Sequence, residues 1–374
     1  MIGYPDMLTH FCYHSLLLLV DLLLLRSIWR STYTTFLHFL VLAWIGAFAA
    51  VVLAVVLTGC LEQRVSTRFV LHGLAWHGTF FLFASAFLMY RQRRNDGKAR
   101  RCFPSLLVVF GCIYFGVAID ALLIEPTWLI IREITISTPK ITKPMTIVFC
   151  SDIHAEHAGD YERWTLQKIQ EQNADLILFG GDYIPGTNAE QETRDLNQLF
   201  REVDLQAPLG IYAIRGTSGH DWRRWREIFE HTAITPIGST VTKPIGEIHV
   251  TFLSNRDSEA KRLIPNAKQG NKFRIMVGHM PCYAMATQEA DLLLAGHTHG
   301  GQVQIPFWGP LITLSEDLPR QWATGITPMS NGAMLIVSHG SGHSRGRGPR
   351  IRFYCRPDFW VIRLVPAEQP ASRS

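Results

Sequence analysis

Long apolar runs fill the first third of the chain, and after residue 131 short ones replace them. Residues 9–29, 35–58, 69–90 and 105–131 are each apolar over about the 20 residues a helix needs to cross a bilayer. One such run also fits a buried core helix, but four in succession do not. The last is long enough to end at a membrane interface, at Glu125, Pro126 and Trp128. From Met145 onward, apolar runs of strand length alternate with helical spacing. Strands are expected at 145–150, 174–179, 210–214, 248–253, 273–277 and 291–295, with helices at 161–172, 189–203 and 221–231. Residues 333–364 read as antiparallel strands around a Gly/Arg loop. Parallel-type strands with crossover helices and a β-rich tail indicate a layered α/β sandwich. The expected organisation is a four-helix transmembrane region at 1–131 followed by an α/β domain at 132–374.

Lysine and arginine placement orients the spans. The first ten residues carry none, the first loop has Arg26 and Arg30, and the second has Arg64 and Arg68, offset in part by Glu62. The third loop holds Arg91, Arg93, Arg94, Lys98, Arg100 and Arg101. Loops one and three therefore read as cytoplasmic, which puts everything after residue 131 on the other side of the membrane. The first run lacks the basic start and small-residue cleavage site of a signal peptide. Asp21 and Asp120 lie within runs, and His72 and His77 lie in the third. They read as interhelical hydrogen bonding or as positions close enough to the surface to stay wet, with a functional polar pocket as the alternative.

The formal net charge of +5 is modest, and much of the excess sits in the third loop, so no nucleic-acid partner is expected. Of the seven cysteines, Cys150, Cys282 and Cys355 lie after residue 131 without CxxC pairing. That is neither a zinc ribbon nor a disulfide framework.

Candidate chemistry collects just after the expected strands. The first is followed by Asp152 and His154, the second by Asp182, and the strand at 210–214 by Arg215-Gly-Thr-Ser-Gly-His220-Asp221. The strand at 273–277 is followed by His279, and the one at 291–295 by His297-Thr-His299 among glycines. In extended chain, residues i and i+2 point to one side. His297 and His299 are therefore expected to aim into one spot, as are Asp152 and His154. Sites in open α/β sheets form at the carboxyl ends of strands. Mixed Asp/His ligands favour Zn, Mn or Fe over Ca or Mg, and a carboxylate such as Asp182 can bridge two ions.

These elements, Asp152-x-His154, Gly181-Asp182, Gly219-His220-Asp221, Gly278-His279 and Gly296-His297-Thr298-His299, stand in the order of the calcineurin-like metallophosphoesterases. The sequence resembles that family over residues 140–366, more closely its bacterial membrane-attached branch. The latter likeness rests on DLLLAGHTHGGQ at 291–302 and on Arg352-Phe-Tyr-Cys355-Arg356-Pro357-Asp358. The resemblance implies a four-layer α/β/β/α sandwich and two divalent metal ions (Mn, Zn or Fe). It implies hydrolysis of a phosphomonoester, phosphodiester or pyrophosphate by a metal-bound hydroxide. By the same resemblance, Asp152, His154 and His299 hold the first metal, Asp182 bridges, and His279 and His297 hold the second. His220 acts at the scissile phosphate as general acid or oxyanion stabiliser, and Asp221 orients it.

One element departs. The family usually reads Gly-Asn-His-Asp, whose Asn is a second-metal ligand, and this chain reads Gly216-Thr-Ser-Gly219-His220-Asp221. Either Thr217 or Ser218 supplies the oxygen, or a water or phosphate oxygen does, or the second site is weakened. Arg345, Arg347, Arg350 and Arg352 form a basic run suited to phosphate or to lipid headgroups, or simply a solvated loop. Phe307, Trp308, Trp222, Trp225 and Trp322 flank the motifs and line either an apolar groove or the core.

The expected protein is a multi-pass bacterial inner-membrane hydrolase with an extracytoplasmic catalytic domain and a phosphate-ester substrate, lipid-linked in the favoured reading. One alternative is a UDP-2,3-diacylglucosamine pyrophosphate hydrolase of lipid A synthesis, whose cytoplasmic substrate conflicts with the derived orientation. Another is a non-catalytic membrane sensor or scaffold on a degenerate phosphoesterase fold.

Overall fold

The computed structural model describes residues 4–30, 36–57, 63–96, 102–186, 188–217, 224–264, 271–286, 288–311, 313, 318–342 and 350–367. Its contacts separate two compact units, one built on the chain up to Leu123 and one on the chain from Ile124.

The first unit is four helices: α1 (Tyr4–Arg30), α2 (Phe36–Leu57), α3 (Gln63–Asp96) and α4 (Cys102–Ile119). Stretches long and apolar enough to cross a membrane cover Thr9–Arg30, His38–Leu57, Phe69–Gln92 and Phe103–Thr127. Phe11, Trp44, Phe48 and Phe110 face outward, which water penalises and hydrocarbon does not. Small residues let the helices approach. A Cβ at Gly73 would collide with the Tyr13 hydroxyl, and one at Gly111 would press on the Phe83 ring. The fourth helix does not run on to 131. It gives way to a π-turn (Asp120–Ile124) and a 3-10 turn (Glu125–Thr127) that holds Pro126 near its start. Proline lacks the N–H for the ladder and its ring clashes with the preceding turn.

The second unit begins with β1 (Ile130–Thr138), β2 (Met145–Cys150), α5 (Asp160–Gln170), β3 (Leu176–Phe179), α6 (Ala189–Val203) and β4 (Ile211–Ile214). It continues with β5 (Ile234–Ile237), β6 (Val241–Ile245), β7 (Ile248–Phe252), α7 (Asn255–Glu259), β8 (Phe273–Val277) and β9 (Leu292–Ala295). Last come the short pair β10 (Gln304–Ile305) and β11 (Gly309–Pro310), then β12 (Gly325–Pro328), β13 (Met334–Val337) and β14 (Asp358–Pro366). Two six-stranded sheets result, ordered β1-β14-β2-β3-β4-β5 and β12-β13-β9-β8-β7-β6.

Side-chain alternation builds the layers. Ile147 and Phe149 of β2 point between the sheets, where Leu176 and Leu178 meet Val250, Phe252, Ile275 and Leu294. Val148 and Cys150 point the other way, into a core shared with Leu166 and Ile169 of α5 and Leu196 and Phe200 of α6. Burial on both faces explains the uninterrupted apolar runs. The outer face of the second sheet packs Met276, Leu293 and Leu335 against Tyr283 of a 3-10 turn (Pro281–Met285). The expected four-layer sandwich forms, with short helical segments as its fourth layer.

The tail departs from expectation. β13 pairs with β9 and β12 in the second sheet, whereas β14 pairs with β1 and β2 in the first. The two strands are not a hairpin, because alternation shows that a strand has two faces and not which strand it pairs with. The helix expected over 221–231 is, among the described residues, a 3-10 turn at Trp225–Phe229. β1, β5 and β6 were not expected. β1 continues the last apolar run, and β5 contains Pro236.

Candidate metal centre

The carboxyl ends of β2, β3, β8 and β9 bring Asp152, His154, Asp182, His279, His297 and His299 together. One ligand atom each of Asp152, His154 and His299 lies within 4.8 Å of the others, and Asp182, His279 and His297 form a second such group. His154 Nε2 is 3.2 Å from His299 Nε2, and His279 Nε2 is 3.2 Å from His297 Nδ1. Asp182 joins the groups: its Oδ2 lies 3.6 Å from His154 Nε2 and 3.4 Å from His279 Nε2. Asp152 Oδ1 stands 3.4 Å from His299 Nε2 and 3.9 Å from His154 Nε2.

Backbone pairing between the strand-end loops sets these positions. Asp152 N–H donates to Gly181 O at 2.9 Å and His154 N–H to Asp182 O at 3.0 Å. Asp152, His154, Asp182, His297 and His299 all take the left-handed conformation, with φ of 53°, 43°, 54°, 68° and 48°. That region is sparsely populated by residues other than glycine, and such strain clusters at functional sites. It also corrects the expected shared aim of His297 and His299. The strand ends at Ala295, left-handed turns replace the extended chain, and the two imidazoles go to different groups. Asp152 and His154 do share a group, but through the same kind of turn.

Close neighbours hold the candidate ligands. Ser151 Oγ donates to Asp152 Oδ2 at 2.6 Å, and His297 N–H donates to both carboxylate oxygens, at 2.9 and 3.2 Å. Gly296 is required there, because a Cβ would collide with Ser151 Oγ and Asp152 Oδ2. His279 Nδ1 donates to Gly180 O at 2.8 Å, which leaves the Nε2 lone pair facing the centre. Burial drives the Asp152 carboxyl above the ordinary carboxylate range. Burial opposes charge on His279, but Asp182 and Asp152 outweigh it and raise its pKa to about 10. Buried carboxylates facing imidazoles favour positive charge in this centre. Its oxygen and imidazole donors and its demand for positive charge both fit divalent metal ions.

Thr217, on the departing loop, places Oγ1 3.2 Å from both His279 Nε2 and His297 Nδ1. Asn255, at the start of α7, donates its amide to Gly216 O in the same loop. Ser218, His220, Asp221 and Trp222 lie outside the described residues, as do Arg345 and Arg347. Arg352 is buried and caps carbonyls: its guanidinium donates to Cys355, His339, Gly340 and Gly342 oxygens at 2.8–3.3 Å. At 2% exposure its guanidinium faces the interior and not the surface. The loop it holds backs the first group, with Ser341 N–H on Ser151 O and Gly342 N–H on Asp152 O. Trp225 belongs to the core beside Tyr183 and Phe229, and Trp322 is partly buried, whereas Phe307 and Trp308 are exposed. Sequence reasoning did not foresee the contacts of Ser151, Asn255 and Glu125, whose signals are too common to single out.

A family model described as calcineurin-like phosphoesterase matches residues 145–301. The chain is 28% identical to the metallophosphoesterase YkuE of Bacillus subtilis over 236 residues, 58% of this chain and 78% of that protein. It is 27% identical to the phosphodiesterase YaeI of Escherichia coli K12 over 266 residues, 64% of this chain and 90% of that one. A metallophosphoesterase of Helicobacter pylori is 24% identical over 255 residues, 64% of this chain and 65% of its own length. With its candidate metal-ligating groups at the strand ends of a layered α/β unit, this chain carries a calcineurin-like phosphoesterase domain over residues 145–301 and is similar to metallophosphoesterases, hydrolases that use divalent metals.

Proposed function

We propose that this protein cleaves a lipid-linked phosphate ester at the outer face of the bacterial inner membrane. The observation that carries the hydrolase chemistry is Asp182, whose carboxylate oxygen faces both histidine-bearing groups. Asp152, His154 and His299 would hold one ion, His279 and His297 a second, with Asp182 between them and Thr217 Oγ1 in place of the usual Asn. Mn, Zn or Fe suits these donors. Two such ions supply Lewis acidity toward the phosphate and lower the pKa of a coordinated water. Ser151 and the His297 N–H orient Asp152, and the Gly180 carbonyl fixes the tautomer of His279. His220 protonates the leaving oxygen or stabilises the phosphate charge, and Asp221 orients it.

Support for a lipid substrate comes from the β10–β11 hairpin, close in sequence to His299. Ile305, Phe307, Trp308 and Leu311 are exposed there. Arg320 stacks on the Trp308 ring at 5.0 Å and donates to Pro310 O at 2.6 Å. An apolar tip with aromatic and cationic flanks suits a membrane interface. The loop charges support the outward orientation.

Full-length protein in vesicles should hydrolyse a bis-aryl phosphate with Mn or Zn and lose activity in chelator. It should prefer a lipid phosphate ester to its water-soluble headgroup, and Phe307→Ser with Trp308→Ser should remove the preference and spare aryl phosphate turnover. A reporter fused after Ser374 should be active outside the cytoplasm. Activity confined to the cytoplasm would instead support the UDP-diacylglucosamine hydrolase reading. Absence of turnover with every divalent metal would support the non-catalytic scaffold.

A further inference from the structure

The four-helix unit carries a line of ionisable side chains that hydrolysis does not use. His10, His14 and Asp21 lie along one face of α1, and His72 and His77 meet them from α3. His14 Nδ1 is 3.0 Å from His77 Nε2, with the rings 10° from parallel. The other nitrogen of His77, Nδ1, is 2.7 Å from Asp21 Oδ2. His10 stacks on His14 with centroids 5.8 Å apart and lies 5.9 Å from His72. Both ring nitrogens of His77 are therefore engaged in one chain, His14–His77–Asp21.

Two cavities meet at that chain. An open groove of about 460 Å³ is lined by His10, Phe11, His14, Ser15, Leu18 and His77. An inner cavity of about 220 Å³, between the helices, is lined by Asp21, His77, Gly73, Gly78 and Tyr114 among others. His77 belongs to both walls. Tyr13 lies edge-on to His14 and donates to Ala50 O of α2, and Tyr114 of α4 donates to Leu74 O. The α2 wall of the inner cavity is apolar, with Phe39, Ala43 and Gly46. Asp21 is 4% exposed within its span, where an ionisable side chain is expensive and takes a partner. A metal ion fits this chain less well. Among the described residues, convergent groups of three ligand atoms occur only in the second unit.

We propose that His14, His77 and Asp21 form a proton relay between the open groove and the inner cavity. A proton taken up at His14 Nε2 releases the Nδ1 proton to His77 Nε2, and His77 releases its Nδ1 proton to Asp21 Oδ2. One proton enters and one arrives on the carboxylate. Both rings remain neutral with exchanged tautomers, which imidazole alone among side chains does near neutral pH.

The test is infrared difference spectroscopy after a pH jump, on full-length protein in lipid nanodiscs. A protonated-carboxyl band should rise on acidification together with imidazole ring bands, and Asp21→Asn should remove it. His77→Gln keeps a polar side chain but cannot pass a proton from one atom to the other, so it should slow the rise at least tenfold. His14→Gln should do the same and serves where His77→Gln fails to fold. A carboxyl band that survives Asp21→Asn, or rises at the wild-type rate in both glutamine variants, would overturn the relay.

Discussion

The Glu125 carboxylate holds the backbone of Cys355: Oε1 accepts the Cys355 N–H at 2.5 Å, and Oε2 accepts the Tyr354 N–H at 2.6 Å. Cys355 in turn points Sγ at His299 O, 3.2 Å away. A residue that closes the last apolar run thereby anchors the segment behind a candidate ligand. Glu125→Ala would leave two N–H groups without an acceptor, one of them buried. It should cost about 2–3 kcal/mol of stability, read as a lower Tm, while Glu125→Gln, which keeps one acceptor, should cost less.

Asp182 serves both groups, so its loss should be felt by both ions. Asp182→Asn should lower aryl phosphate turnover by more than about a hundredfold, and elemental analysis should find less than one tightly bound metal per chain. His299→Ala should empty the first group and retain metal at the second. Equal metal content in both variants would contradict the division of His297 from His299.

Thr217 is expected to supply the oxygen that the usual Asn supplies. Thr217→Ala should weaken the second ion about tenfold or more and leave the first in place. Two-metal occupancy unchanged after dialysis would show that Thr217 is not a ligand.

Gly296→Ala tests the close approach behind Asp152. The added methyl meets Ser151 Oγ and Asp152 Oδ2, so the variant should bind the first metal poorly even if it folds. Activity and metal content within twofold of wild type would show that the loop yields without cost.

Metal removal should change the response to pH. In the metal-free protein the His279 pKa stands at about 10 against an ordinary 6.5, because Asp182 and Asp152 outweigh burial. A raised folded-state pKa stabilises the fold fully below 6.5 and loses that contribution as pH rises through about 10. The Tm of chelator-treated protein should therefore fall across that window. Metal-loaded protein should lack this fall, and metal uptake below pH 10 should release protons, measurable by calorimetry in buffers of different ionisation enthalpy.

Much of the fold was legible. β2 and β8 fall at their expected bounds because their uninterrupted apolar runs match burial on both faces, and α6 shows equally clear helical spacing. β5 and β6 were missed because an Ile-Thr-Pro-Ile strand and a half-exposed neighbour carry little periodic signal. The pairing of β13 and β14 with opposite sheets was not legible either, since alternation names faces and not partners.

The sequence by itself determined the chemistry: which side chains can bind metal, their placement after strands, and apolar runs long enough to cross a bilayer. Ligand type and strand periodicity are local properties, written residue by residue. The tertiary structure decided how the candidate ligands divide, because left-handed turns separate His297 from His299 and let Asp182 face both groups. It also decided that Arg352 is a buried strut and that Glu125 anchors the tail. Those roles depend on carbonyls and N–H groups contributed by distant segments, whose positions only the closed fold fixes.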